Sequence, residues 1–265
     1  MHADAVQEAA APCVLSVNQS RRLIAAGFLL WPGTWVLLEL LRGTRPDAPQ
    51  LSQLLHGKRV LELGSGTGLA GLCAAAAGAH VLMTDLPSVV NGILTGNVKR
   101  NDAQAQPPSR SAVQQPGGAA STAPCACQGP WPGATPVGLQ CGSATAMPID
   151  WSEPLAAQLD AAASTRGLDA STADVLLACD VVWLQELLEP FRDTVVGLLK
   201  RCRPGTPFLL TFIDRAKSGS DQFSSRQQVT ELFSGVGCAI SVYHTQMADV
   251  DGEQQRADVL EVKLP

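Results

Sequence analysis

Aromatic residues make up only 5% of the 265 residues, with a single tyrosine, and charged residues only 16%. Basic side chains are few: 19 Lys and Arg stand against 24 Asp and Glu, for a net charge of −5. That balance disfavours a protein that reads a nucleic-acid backbone, which needs a basic surface. Histidine is rarer still, with residues 2, 56, 80 and 244 at no paired spacing. The eight cysteines include no C-x-x-C pair, so neither a metal site nor a disulfide framework is expected. Scattered thiols read as a reduced, intracellular protein, cytoplasmic, with the nucleus also open. Long apolar runs are missing too. Leu23 to Leu38 is uncharged but only 16 residues long, is broken by Pro32-Gly33 and ends at Glu39. A membrane span wants about 20 apolar residues. Met1 to Gln19 has no basic segment of the kind that opens a secretory signal. What is abundant is apolar content, 46%, which excludes wholesale disorder and is enough for a substantial core.

One stretch departs from the rest. Residues 103–148 hold eight prolines, six glycines and one charge, Arg110. This composition predicts a low-complexity surface insertion at about 103–148, with at most a short strand near Val137 to Gln140, in an otherwise single domain spanning 1–265. A smaller irregular patch is expected over Ala156 to Ala173. Elsewhere strand-like and helix-like runs alternate. Arg59–Leu63, His80–Thr84, Asp174–Cys179 and Pro207–Ile213 read as strands. Thr67–Ala77, Pro87–Asn101, Leu184–Arg203 and Gln227–Phe233 read as helices. Two final strand-like runs, Cys238–Thr245 and Asp258–Leu264, have no helix between them and should pair antiparallel. The expected fold is α/β: a mostly parallel sheet with helices on both faces and an antiparallel C-terminal strand.

The informative segment is Val60-Leu-Glu-Leu-Gly-Ser-Gly-Thr-Gly-Leu-Ala70, a strand running through three glycines into a helix. Glycines let backbone N–H groups approach a ligand closely, and the helix N-terminus adds partial positive charge. Glu62 precedes the turn, and Asp85 ends the next strand, where a carboxylate can accept both hydroxyls of a ribose. Two registers compete. Gly66, Gly68 and Gly71 satisfy the dinucleotide pattern G-x-G-x-x-G. Glu62, Gly64, Gly66 and Gly68 instead put a carboxylate before the turn, which suits a cationic ligand and repels a pyrophosphate.

The second register resembles motif I of the class I S-adenosylmethionine (SAM) methyltransferases. Around it, Leu30-Trp31-Pro32, Gly57 to Leu69, Gly78 to Asp85, Asn97 with Asn101, Ile149-Asp150-Trp151 and Cys179-Asp180-Val-Val-Trp183 resemble, in order, elements of methyltransferase family 16, the methyltransferase-like protein-lysine methyltransferases. Two departures stand out. Trp183 occupies a position where that family carries Tyr or Phe, and the 103–148 insertion is far longer than usual.

The resemblance implies a seven-stranded Rossmann-like fold and SAM as cofactor. The implied cofactor-binding residues are Trp31, Glu62, Gly64, Ser65, Gly66, Thr67, Gly68, Asp85, Trp151 and Cys179, with Trp31 closing over the methionine end, Trp151 beside the adenine and Cys179 lending backbone. The implied catalytic residues are Asp180, holding the acceptor amine or alternatively capping the helix that follows, and Trp183, walling the amine channel. The implied activity is methylation of a lysine side chain of a protein partner by a monomer, without metal, nucleic acid or membrane. A small-molecule methyltransferase and a non-catalytic SAM- or partner-binding module are the alternatives.

Overall fold

The structure, a computed structural model, describes residues 30–43, 47–103, 129–138, 140–182, 184–215 and 224–265. Strand β1 (Arg59–Leu63) is buried from Val60 onward, as its near-continuous apolar run requires of a strand covered on both faces. It pairs in parallel with β2 (His80–Asp85) on one side and β5 (Val175–Cys179) on the other. With β3 (Thr135–Val137), β4 (Gly142–Pro148), β6 (Phe208–Ile213), β7 (Ala239–Val250) and β8 (Glu253–Lys263) they form one sheet in the order β3-β4-β2-β1-β5-β6-β8-β7. The five central strands are parallel. β3 is antiparallel to β4, and β8 is antiparallel to both β6 and β7. The expected mixed sheet with an antiparallel C-terminal strand is therefore present, with eight strands among the described residues rather than seven.

Side chains alternate across this sheet. Val60, Val81 and Leu177 join one core cluster with Leu37 and Leu40 of α1 (Pro32–Arg42), Leu51 and Leu55 of α2 (Leu51–Leu55) and Leu72 of α3 (Leu69–Ala76). Leu61, Leu63 and Leu82 point the other way, toward Phe191, Val195 and Leu198 of α7 (Leu188–Arg201) and Phe233 of α8 (Arg226–Ser234). Full burial of each such leucine or phenylalanine contributes roughly 1.5–3 kcal/mol. α1 starts with Pro32 in its first turn and stops at Gly43 in the left-handed conformation (φ 61°), following the usual asymmetry of helix ends. A capping box of Ser225 and Gln228 opens α8.

Two expectations need correcting. The 103–148 stretch is not wholly an insertion: from residue 129 it enters the fold, supplying β3 and β4, and Trp131 is 1% exposed. Composition hid this because β4 is built from small residues. Its Gly142 lies so close to α3 that an added Cβ would sit 1.8 Å from the Ala75 carbonyl oxygen. The ends of the stretch are tied together. Ala103 N–H donates to Pro136 O at 3.0 Å, and Arg59 donates to the carbonyls of Gly129 (2.9 Å) and Pro130 (3.0 Å) while its guanidinium lies 5.1 Å from the Trp131 ring centre. The Val137–Gln140 strand is found as Thr135–Val137. Second, the patch expected to be irregular over 156–173 holds α6 (Leu155–Arg166), where only Leu159 is buried; alanine propensity forms a helix there without any apolar stripe. The helix expected over 87–101 is present as one unbroken run, α4 (Pro87–Val89), a π turn over Val90–Leu94, and α5 (Thr95–Arg100). Among the described residues no helix is long and apolar enough to cross a membrane.

Candidate active site

The parallel strands all deliver their carboxyl ends to one rim, where ligand crevices of such sheets form. At the end of β1, Gly64, Gly66 and Gly68 have φ of 65°, 55° and 85°, a left-handed path that glycine follows without penalty. The turn is stitched to β2: Ser65 N–H donates to Thr84 O at 2.9 Å, and Gly66 N–H donates to Asp85 Oδ2 at 2.7 Å. Leu86 N–H donates to the other Asp85 oxygen, also at 2.7 Å. Each carboxylate oxygen thus keeps a lone pair for a further donor. Burial pushes the Asp85 carboxyl up from its ordinary value.

Glu62 is 1% exposed and accepts the Ser65 hydroxyl at 2.7 Å. Burial, with Asp85 nearby, pushes its pKa up to about 7. The fit is tight: a Cβ on Gly71 would come within 2.4 Å of Glu62 Oε2. Gly71 is therefore a packing glycine that lets α3 approach the carboxylate. Thr67, 2% exposed, offers its carbonyl to Asn97 Nδ2 at 2.7 Å. That contact ties the glycine turn to α5, in keeping with Asn97 orienting a helix.

Beside the turn, a Cβ on Gly64 would lie 2.6 Å from Val181 Cγ1 and 3.4 Å from Trp151 Cζ2, so the segments after β5 and β4 both reach the first glycine. Trp151 packs on Phe191 at 4.9 Å between ring centres. Asp150 makes a turn, accepting Ser152 N–H (2.9 Å) and hydroxyl (2.6 Å). Cys179 is buried, its thiol pushed up by burial, with Sγ 3.7 Å from Thr211 Oγ1.

Asp180 caps neither helical segment that follows; Leu184 and Leu187 hold those cap positions. It adopts φ 55°, and its carboxylate accepts three protein donors: Gly33 N–H at 3.0 Å and both terminal nitrogens of Arg215 at 2.6 and 2.5 Å. The Arg215 guanidinium also lies over the Trp31 ring, 5.5 Å from its centre. Trp31 is the N-cap residue of α1. Trp183 lies outside the described residues. Three participants were given no site role by the sequence: Gly33, Val181 and Arg215. The only signal for Arg215 was a basic residue closing the β6 segment, at the same rim as Asp180.

The arrangement can be tested against a cofactor by its charges. Asp85 accepts from the glycine turn and keeps lone pairs for a diol, while Glu62, the acidic group directly before the turn, suits a cation and, when ionised, repels a pyrophosphate. The residues present therefore fit SAM better than a dinucleotide.

Residues 11–114 match the family model described as lysine methyltransferase. That span includes Trp31, the glycine turn, Asp85, Asn97 and Asn101. The zebrafish (Danio rerio) protein N-lysine methyltransferase METTL21A is 35% identical over 92 residues, covering 35% of this chain and 38% of that protein. EEF1A lysine methyltransferase 3 of Xenopus tropicalis is 42% identical over 57 residues, covering 22% and 25%. The chain thus matches well under half the length of these curated relatives. Over a wider span, the crystal structure of magnesium protoporphyrin IX methyltransferase from Synechocystis PCC 6803 with bound SAH superposes with a TM-score of 0.50 at 14% identity, covering 88% of this chain and 84% of that one. The fold is that of the Rossmann-like class I methyltransferases.

Proposed function

We propose that this protein is a SAM-dependent methyltransferase whose acceptor is a lysine side chain of a protein. The observation that carries the reading is the acidic glycine turn, Glu62 and Asp85 around Gly64-Ser-Gly-Thr-Gly68, within a segment matching the lysine methyltransferase family. In this reading the whole chain works as one methyltransferase domain. Asp85 takes the ribose hydroxyls on its remaining lone pairs. Glu62 with Ser65 faces the cationic methionine end, Gly66, Thr67 and Gly68 shape the turn, Trp151 lies beside the adenine with Cys179 backbone near it, and Trp31 closes the methionine end. When bound, SAM supplies an electrophilic methyl group on a sulfonium.

The chain's own task is to prepare the nucleophile. A lysine amine titrates near 10.4, so the neutral form is scarce in water and the site must desolvate and align it at about 3–3.5 Å. Asp180 Oδ1, with one donor already on it, keeps a lone pair to accept an amine N–H, and the proton lost from the amine passes to water. Trp183 is the expected aromatic wall of the channel. The described cysteines are free thiols, consistent with a reduced intracellular setting, cytoplasmic in this reading. A monomer acting on a protein partner is the assembly we infer.

The test is transfer of labelled methyl from SAM into the proteins of a cell extract. Discrete labelled bands with the wild type that vanish with Asp85→Ala support the reading. A thermal shift with S-adenosylhomocysteine but no labelled protein moves the acceptor to a small molecule or the protein to a silent binder. No shift at all overturns the cofactor.

A further inference from the structure

We propose that Arg215 is a positioning residue of the methyl-transfer site, acting through Asp180 on the glycine turn; the proposal rests on the reading of that turn as the SAM site. Asp180 sits in the left-handed region (φ 55°), where a residue other than glycine persists only if its surroundings hold it. Four contacts do so. Its N–H donates to Thr211 O at 2.8 Å, and its carboxylate accepts Gly33 N–H and both terminal nitrogens of Arg215. The side chains of Asp180 and Arg215 are 1% and 13% exposed, so this pair has little competition from water.

The consequence travels in two directions. Pinning Asp180 pins the next residue, Val181, whose Cγ1 lies where a Cβ on Gly64 would collide. The first glycine of the turn is thus covered by a residue whose place depends on the ion pair. On the other side, the same guanidinium lies over Trp31, and Asp180 holds the first turn of α1 through Gly33, leaving so little room that a Cβ there would be 2.5 Å from the Asp180 Cβ. Arg215 therefore joins α1 and the ends of β5 and β6 at the rim. Its planar fork is what makes this possible: it spans both carboxylate oxygens while offering a flat face to the indole, which a lysine ammonium cannot do.

The test compares melting temperature with S-adenosylhomocysteine affinity, measured by calorimetry, for the wild type, Arg215→Met, Arg215→Lys and the double variant Asp180→Asn/Arg215→Met. Arg215→Met should lose affinity by about tenfold or more, as misplacement of site residues does, and should melt lower because a buried carboxylate loses its partner. The double variant removes both charges and should regain the melting temperature but not the affinity. Arg215→Lys, keeping the charge without the fork, should recover melting more than affinity. If the double variant regains both, or if Arg215→Met binds like the wild type, the pair only holds the fold and the proposal fails. A wild type that binds no S-adenosylhomocysteine would instead sink the SAM reading itself, and the proposal with it.

Discussion

Two turns at the same rim of the sheet make opposite use of a left-handed backbone. After β1 the chain bends through glycines at 64, 66 and 68, and the nearby carboxylates, Glu62 and Asp85, take their donors from the turn itself and its neighbours in sequence. After β5 the bend falls on Asp180, and the donors to its carboxylate come from residues 147 and 35 positions away. The first turn is locally assembled and keeps free acceptor capacity for a ligand. The second is assembled by long-range contacts and has most of its capacity occupied by the protein. Loss of a ligand-facing carboxylate at the first should appear chiefly in binding, and damage to the second should appear in stability and binding together.

The sharpest break is Asp180→Ala. It leaves the Arg215 guanidinium buried without its carboxylate, which should cost about 3–5 kcal/mol of unfolding free energy, read by urea denaturation. The next prediction concerns pH. Glu62 holds its proton to about pH 7 in the folded protein against 4.5 unfolded, so the native state binds more protons over that window. Its contribution to stability is full below about pH 4.5 and lost as pH rises through about 7. At 1.36 kcal/mol per pKa unit the loss approaches about 3 kcal/mol. Unfolding free energies from pH 4.5 to 8 should fall more steeply for the wild type than for Glu62→Gln. Parallel slopes would remove Glu62 from this role. Third, Gly71→Ala forces a Cβ against Glu62 and Met83 and should cost about 1–3 kcal/mol, a packing defect where α3 meets β1 and β2. The smallest stability effect belongs to Asp85→Ala. Its half-exposed carboxylate gives up two backbone donors, about 1 kcal/mol, while the thermal shift with S-adenosylhomocysteine should disappear altogether. If Asp85→Ala melted far below Asp180→Ala, the contrast between the two turns would be wrong.

The same contrast explains what the sequence made legible. The strands in the middle of the sheet, the glycine turn and the place of Asp85 at a strand end follow from contiguous residues and a 2.0 or 3.6 periodicity. The Arg215–Asp180 pair joins segments with no shared pattern. α6 escaped because alanines form a helix without an apolar stripe, and β4 because a strand of Gly, Ser, Ala and Thr carries little of the β-branched signal. Trp131 was read as part of a Pro/Gly-rich stretch, although a large aromatic amid small residues pointed to burial.

The tie between Ala103 and Pro136, with Arg59 gripping Gly129 and Pro130, closes the sheet before the connecting chain is counted. Ala103 and the Gly129–Pro130 pair are thus each fastened by hydrogen bonds of their own, so the β3 edge of the sheet is held from two separate points of the chain.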